Sequence, residues 1–139
     1  MKSNIAKRMM AVIGLMILVS AASAFAQTAP LRANIPFAFT AGEQVLPAGV
    51  YRVVIDSQFR RLDVRSINAI SGVVLSANKQ FRGHSPDTAT LIFHKYGNTY
   101  FLKQVWPAGR NDGYGLPATS AEREMARNAP TEIAVVRLP

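Results

Sequence analysis

Apolar and polar residues alternate along most of the chain after residue 30, with the period of two that is typical of β-strands. Five segments with this pattern are expected to form strands: residues 31–39, 50–56, 61–65, 72–76 and 131–138. In the second of them, the alternation turns Tyr51, Val53 and Ile55 to one face. Pro36 cannot donate a hydrogen bond to a neighbouring strand, so it predicts a sheet edge or a bulge within the first segment.

The clearest hairpin is centred on Gly97-Asn98, a two-residue connection that suits the natural twist of paired strands. It joins residues 88–96 to residues 99–106. With Tyr96 opposite Thr99, the register predicts five further pairs: Phe93 with Leu102, His94 with Phe101, Ile92 with Lys103, Leu91 with Gln104, and Ala89 with Trp106. Residues 78–87 and 107–117 are polar and contain glycine and proline, so they predict surface loops.

A short helix is expected near the C-terminus. Thr119 can cap it, and Glu122 three residues later completes a capping box, in which the glutamate side chain returns to the N-cap amide. Ala121 and Met125 give the helix a narrow apolar stripe. The spacing of turns predicts an all-β fold, an antiparallel β-sandwich or small barrel of about seven strands with this one helix. A parallel sheet is excluded because the chain has no crossover helices.

The first 26 residues have the composition of a secretory signal peptide. A basic start is followed by an almost wholly apolar run over residues 9–19. The basic residues are Lys2, Lys7 and Arg8. This run is shorter than the roughly 20 residues that a membrane-spanning helix needs, so a permanent anchor is not expected.

Ala24 and Ala26 supply the small-x-small pattern that signal peptidase recognises, and they place cleavage before Gln27. The sequence therefore predicts a cleaved signal peptide, residues 1–26, and a single β domain, residues 27–139. The expected location of the mature chain is the periplasm or the extracellular space.

Composition narrows the functional classes. The chain has no cysteine, which excludes disulfides, thiolate metal sites, a cysteine nucleophile and a lipidated N-terminal cysteine. Its formal net charge is +8, and about +5 remains after removal of the predicted signal peptide. A basic exported protein is attracted to anionic partners. The arginines are scattered along the sequence, and only Arg60, Arg61 and Arg65 lie close together.

Residues suited to catalysis are few. The two histidines are His84 and His94. His84 and Asp87 together supply too few ligands for a tight metal site. Glu122 and Glu124 diverge on a helix and cannot flank one glycosidic bond. The sequence also lacks the Gly-x-Ser-x-Gly elbow of serine hydrolases. We therefore expect no catalysis, no cofactor and no metal.

The candidate ligand-binding surface is the reverse face of the predicted hairpin. It combines apolar, aromatic and cationic groups: Ile92, His94, Phe101, Lys103 and Val105. If exposed, these residues could stack on a ring while Lys103 met an anionic substituent. In the alternative arrangement, the helix carrying Met125 covers this face and Lys103 lies at its rim.

These observations predict an exported, soluble envelope protein with a binding or structural role. Its expected partners are an anionic envelope polymer or another protein, with no specific nucleic acid. One alternative is a carrier in which a barrel lumen holds an apolar ligand. The residues expected to line that lumen are Phe37, Phe39, Tyr51, Phe93 and Trp106. A second alternative is a hydrolase with His94 as its base, which requires a serine or a carboxylate beside His94.

Several segments resemble a group of small exported bacterial β-proteins without assigned function. The matching segments are Ile35-Pro36-Phe37-Ala38-Phe39, Leu46-Pro47-Ala48-Gly49-Val50-Tyr51, Phe93-His94-Lys95-Tyr96-Gly97, Tyr100-Phe101-Leu102, Val105-Trp106 and Ser120-Ala121-Glu122-Arg123-Glu124. In that group an acidic residue commonly stands at the position of Ala38. The resemblance implies secretion and a β fold, and it implies no catalytic residues.

Overall fold

A computed structural model describes residues 29–139. The predicted signal peptide and its cleavage residues Ala24, Ala26 and Gln27 lie outside the described residues. The elements, in chain order, are β1 (Leu31–Ile35), β2 (Phe39–Ala41), β3 (Gln44–Leu46), β4 (Gly49–Asp56), β5 (Arg61–Ser66), β6 (Gly72–Ser76), β7 (Asn78–Phe81), β8 (Thr90–Tyr96), β9 (Thr99–Trp106), β10 (Asp112–Gly115), α1 (Ser120–Asn128) and β11 (Glu132–Arg137).

The strands form two sheets, which confirms the predicted all-β sandwich and its one helix near the C-terminus. The small sheet has the strand order β1-β4-β5-β6. The large sheet contains seven strands, with the order β11-β8-β9-β10-β7 and with β2 and β3 attached through β9. All pairings are antiparallel except that of β2 with β9, at Thr40 and Phe101. The sheets do not close into a single barrel.

Pro36 marks the point where the chain changes sheets. The expected strand over residues 31–39 is in fact two strands, because β1 ends at Ile35 and β2 begins at Phe39. β1 is an edge strand of the small sheet, whereas β2 belongs to the large one. The prediction of a sheet edge near Pro36 is therefore confirmed, while the prediction of one continuous strand is wrong.

The core lies between the two sheets. The predicted inward face of β4 is confirmed, since Tyr51, Val53 and Ile55 are all buried. The Tyr51 hydroxyl donates a hydrogen bond to the Pro47 carbonyl, and burial raises the pKa of this tyrosine. Large-sheet residues that complete the core include Phe39, Leu91, Phe93, Leu102 and Val105. Each such side chain contributes about 1.5–3 kcal/mol by leaving water.

The segments expected to be loops on either side of the hairpin contain two paired strands instead. β7 and β10 pair in antiparallel register from Asp112–Phe81 to Gly115–Asn78. A Cβ atom on Gly113 would lie 2.5 Å from Cε3 of Trp106, and one on Gly115 would lie 2.3 Å from Nε2 of Gln80. The glycines that suggested a loop are therefore required by close packing within a strand.

The hairpin of β8 and β9 keeps the predicted register only near its turn. The pairs Tyr96–Thr99, His94–Phe101 and Phe93–Leu102 are confirmed. Beyond them a bulge at Lys103 shifts the register, so the predicted pairs of Ile92, Leu91 and Ala89 are wrong. The observed pairs are Ile92–Gln104, Leu91–Val105 and Thr90–Trp106. As a result Val105 enters the core between the sheets, while Trp106 turns to the outer face of the large sheet with Gln104 and Ile92, where it is still buried at 2% exposure.

Helix α1 begins after Thr119, whose Oγ1 accepts a hydrogen bond from the Glu122 amide at 3.3 Å. This part of the predicted capping box is confirmed. The expected return of the Glu122 side chain to the N-cap amide is wrong, because that side chain is buried and its carboxylate contacts Tyr96 and Lys103 instead. Ala121 is exposed and Met125 is half-buried, so the helix is held mainly by a buried glutamate. Within residues 29–139, no helix is long and apolar enough to span a bilayer.

Candidate functional site

Of the five residues on the predicted ligand-binding face, Val105 is buried in the core, and the other four do not form one open surface. Ile92 lies in a groove on the outer face of the large sheet. Phe101 is 4% exposed and borders a different groove, between α1 and the β2–β3 hairpin. His94 and Lys103 face Glu122 of α1. The structure thus places His94 and Lys103 against Glu122, while Ile92 and Phe101, on the same outer face, border two different grooves.

The contact with α1 is a buried polar cluster around Glu122. Its Oε2 atom lies 2.9 Å from Lys103 Nζ, and its Oε1 atom accepts a hydrogen bond from the Tyr96 hydroxyl at 3.2 Å. His94 Nδ1 lies 3.4 Å from the same Oε1 atom. The Lys103 and Glu122 side chains are only 11% and 4% exposed. Because the charge of Lys103 is already matched by Glu122, this lysine is poorly placed to bind an external anion.

The carboxylate that a hydrolase would need beside His94 is therefore present, as Glu122. Its oxygens are shared with Tyr96 and Lys103. Among residues 29–139, no serine or threonine hydroxyl forms a hydrogen bond with His94, and no group of three or more histidine and acidic side chains could hold a metal. The contacts of Glu122 with Tyr96 and Lys103 tie α1 to the large sheet.

The aromatic residues considered for a carrier lumen pack against one another. Phe37 meets Phe93 edge to face at 5.0 Å between ring centroids, and Phe39 meets Tyr51 at 5.1 Å in the same manner. Trp106 is not part of this group, because the bulge turns it to the outer face. These four rings contribute to the core between the sheets.

A row of arginines crosses the outer face of the small sheet. Arg32 of β1 pairs with Arg52 of β4, and Arg52 pairs in turn with Arg65 of β5. All three side chains are exposed. Cα atoms of directly opposed residues in antiparallel strands are about 4.5–5.5 Å apart, so the row carries three positive charges across about 10 Å of surface. We call these three residues the arginine row.

Local sequence explains why each arginine faces outward. Each follows or precedes residues that alternate into the core: Ala33 and Ile35 in β1, Tyr51 and Val53 in β4, and Leu62 and Val64 in β5. With side chains alternating between the two faces of a strand, the arginines fall on the opposite face. The pairing register then places them side by side.

The charge of the row is largely uncompensated. Arg65 Nε lies 2.8 Å from Asp63 Oδ1 on the same strand, with both groups partly exposed. Within the described part of the chain, neither Arg32 nor Arg52 has a carboxylate within 4.0 Å. A shallow depression of about 200 Å³ lies between Arg52, Val54, Asp63 and Arg65. This surface can accept an anionic group that bridges neighbouring guanidinium groups.

Of the arginines that lie close together in sequence, Arg61 and Arg65 share the outward face of β5. The Arg61 guanidinium lies 5.7 Å from the centroid of the exposed Phe59 ring. Arg60, at the turn before β5, has a positive φ of 52°. The structure extends this predicted patch with Arg32 and Arg52, which sequence proximity could not reveal.

A second group of charged residues holds β10 against β7. Asp112 accepts two hydrogen bonds from Arg110, at 2.8 and 2.7 Å, and lies 3.3 Å from Lys79 Nζ. Hydrogen bonding from Arg110, followed by Lys79, lowers the pKa of Asp112 below its ordinary value, and burial only partly opposes this effect. The same hydrogen bonds raise the pKa of Arg110. Both cations of this group are already in contact with Asp112, so the group serves mainly to tie β10 to β7.

The chain matches no protein-family model, and no curated protein or solved structure shows significant similarity to it.

Proposed function

We propose that the protein is an exported, soluble protein of the cell envelope that binds an anionic polymer through the arginine row and performs no catalysis. The observation that carries this proposal is the alignment of Arg32, Arg52 and Arg65 across three adjacent strands. The predicted signal peptide and the resemblance to small exported β-proteins support the location.

The energetics of the sheet support a binding role for the row. Like charges placed directly opposite each other destabilise a pair of strands. Three arginines in register are therefore unfavourable for stability, and an anion bound between them would relieve the repulsion. Guanidinium groups suit this task because they form paired hydrogen bonds with carboxylate or phosphate groups.

A polymer fits this surface better than a small enclosed ligand. The depression beside Arg52 is shallow, and the charges extend along the outer face towards Arg61. Repeated carboxylates or phosphates can contact several guanidinium groups at once, whereas each single exposed contact is weak. We therefore infer that the partner is a polyanion such as an acidic polysaccharide, and that its affinity falls with added salt.

Binding to polygalacturonate, with neutral dextran as the reference polymer, tests the proposal. The double variant Arg32→Gln/Arg52→Gln is expected to bind polygalacturonate about tenfold more weakly, a loss equivalent to about 1.4 kcal/mol. The matched control is Arg123→Gln/Arg127→Gln, which removes the same charge from exposed positions on α1. This control is expected to bind within about twofold of the native protein.

Two results would overturn the proposal. Equal weakening in both double variants would show that net charge alone attracts the polymer. Equal affinity of the native protein for dextran and polygalacturonate would show that anions are not recognised.

The N-terminus of the exported product tests the location separately. We expect mass spectrometry of the protein recovered outside the cytosol to find a chain that starts at Gln27. Recovery of a chain that retains Met1 would contradict the predicted cleavage, and it would leave the polymer-binding result unaffected.

A further inference from the structure

A groove on the outer face of the large sheet lies between the segment 82–88 and the strands β8 and β11. Its volume is about 580 Å³, within the range of small-molecule sites. The residues that line it include Arg82, Pro86, Asp87, Ile92, Val135 and Arg137. It contains one of the four residues predicted from sequence, Ile92, and none of the arginine row.

One cationic group in the groove is held in place before any ligand binds. The Arg82 guanidinium lies 3.9 Å from the Trp106 ring centroid, and its Nη2 donates a hydrogen bond to Gln104 Oε1 at 3.4 Å. Trp106 Nε1 donates to the same Oε1 atom at 2.9 Å. Stacking on an aromatic face orients a planar guanidinium and leaves its edge free for an anion.

The other charges of the groove leave an excess of positive charge. Arg137 is exposed, and Asp87 is the one carboxylate among the lining residues. Among residues 29–139, neither Arg82 nor Arg137 has a carboxylate within ion-pair distance. Two arginines against one aspartate favour an anionic ligand.

The floor of the groove is apolar. Ile92 and Val135 form a cross-strand pair of β8 and β11, and Val135 is 49% exposed. Pro86 contributes further apolar surface on the side of the segment 82–88. Exposed apolar surface next to fixed cations suits a ligand with one charged end and an apolar body.

Backbone hydrogen bonds shape the wall of the groove. The Arg82 amide donates to the Asn111 carbonyl at 2.7 Å, and the Gly109 amide donates to the Pro86 carbonyl at 2.9 Å. The Thr90 hydroxyl donates to the Thr88 carbonyl at 3.0 Å. A wall fixed in this way reduces the entropy lost on binding.

We propose that this groove binds a small amphipathic anion, a carboxylate or phosphate monoester on an apolar body. The anionic group contacts the guanidinium groups of Arg82 and Arg137. The apolar body covers Ile92 and Val135. This site is separate from the arginine row, so either proposal can fail without the other.

Trp106 provides a direct signal for the experiment, because it is the one tryptophan of the chain and lies under Arg82. The probes are octanoate and octyl phosphate, used below the concentrations at which they form micelles. The comparison compounds are acetate, which lacks the apolar body, and octyl glucoside, which lacks the charge. We expect saturable changes in Trp106 emission with both octyl anions and with neither comparison compound.

Substitutions in the groove test whether the change in Trp106 emission comes from binding at this site. Arg137→Gln and Val135→Thr alter exposed side chains, so the fold should be retained while octanoate binds about tenfold more weakly. Arg123→Gln on α1 is the charge-matched control for Arg137→Gln, and it should bind octanoate like the native protein. Arg32→Gln/Arg52→Gln should also leave octanoate binding unchanged.

Three results would overturn the proposal. The first is equal binding of octanoate and octyl glucoside. The second is native affinity in both groove variants. The third is binding to phosphatidylglycerol vesicles without binding of free octanoate, which would indicate a membrane surface as the partner.

Discussion

Lys103 Nζ and Glu122 Oε2 lie 2.9 Å apart, and this contact joins β9 to the buried residue of α1. The bulge in β9 positions the lysine, since the register shifts between Ile92 and Phe93 on the facing strand. The helix thus depends on an irregularity in the sheet. An ion pair with both side chains mostly buried adds little stability compared with a well-packed apolar pair. Removing only one partner is strongly destabilising, because it leaves the other charge buried without a counter-charge.

Glu122→Ala should lower the free energy of unfolding by about 3 kcal/mol, because it leaves the ammonium group of Lys103 buried without a counter-charge. Urea denaturation provides the measurement. Glu124→Gln is the control on the same helix, since Glu124 is 68% exposed and its contact with Arg127 is long, at 3.5 Å. That control should change the free energy by less than about 0.5 kcal/mol.

Replacing both Lys103 and Glu122 distinguishes the effect of an unmatched buried charge from the effect of lost side-chain packing. Lys103→Met/Glu122→Leu should be more stable than Glu122→Ala, because neither residue then carries an unmatched buried charge. Equal stability of Glu122→Ala and Glu124→Gln would contradict the role given to this contact.

Arg52→Thr should raise the free energy of unfolding by a few tenths of a kcal/mol at about 0.01 M salt, because it removes the central charge of the arginine row. The gain should shrink at about 1 M salt, where the Debye length is only about 3 Å. Urea denaturation at the two salt concentrations measures both effects. Arg123→Gln should show no comparable gain, and a destabilised Arg52→Thr at low salt would argue against repulsion within the row.

Asp112 should make the protein sensitive to acid. Its pKa is lower in the folded protein than in the unfolded chain, so at acidic pH the folded state binds fewer protons than the unfolded chain does. The resulting stabilisation is present above the unfolded pKa, about 3.9, and is lost as the pH falls through the folded pKa. Free energies of unfolding measured between about pH 6 and pH 2 should therefore fall less steeply for Asp112→Asn than for the native protein.

Arg110→Gln should also make the free energy of unfolding fall less steeply with decreasing pH, because Arg110 is the main cause of the lowered pKa of Asp112. Arg123→Gln on α1 should retain the native dependence. An Asp112→Asn profile parallel to the native one across the acid range would refute the assignment.

Gly113→Ala should destabilise the protein by about 1–3 kcal/mol through overpacking. The new Cβ atom would lie 2.5 Å from Trp106 Cε3 and 2.8 Å from the Val105 carbonyl oxygen. Thermal unfolding measures the loss, and Trp106 emission should change as the ring moves. Gly83→Ala is the matched control, since no atom lies within 4 Å of its added Cβ, and its stability should be nearly native.

The features of this fold that depend on neighbouring residues are predictable from the sequence. The alternation around Tyr51 and Val53 correctly identified their buried face, and Gly97-Asn98 correctly located the hairpin turn. Thr119 was correctly assigned as the N-cap of the helix. Each of these features is determined within a few residues of the sequence.

The features that depend on a partner strand are not predictable from the sequence. Nothing near Lys103 in the sequence distinguishes a bulge from regular pairing, yet one extra residue reverses the faces of Val105 and Trp106. β7 is a polar edge strand with mostly exposed side chains, so its pattern resembles that of a loop. Its pairing with β10 becomes visible only in the folded chain.

The candidate site shows the same limit. Alternation with buried neighbours is enough to turn Arg32 and Arg52 outward, but only the strand order β1-β4-β5 places them beside Arg65. The interval of three between Thr119 and Glu122 suggested a capping box, whereas the carboxylate is drawn to the cationic and hydroxyl groups of the large sheet. The sequence predicts on which face of a strand or helix a charged side chain lies, but it does not predict which residue that side chain contacts.

The crossing of the chain from one sheet to the other at Pro36 affects how the protein unfolds. Neither layer consists of one continuous stretch, because residues 39–46 leave the small sheet for the large one before β4 returns. Separating one sheet from the other would strain the three-residue connection 36–38 and expose the core that the two sheets share. We therefore expect the slowest-exchanging amides of β4 and β8 to open together, in one event.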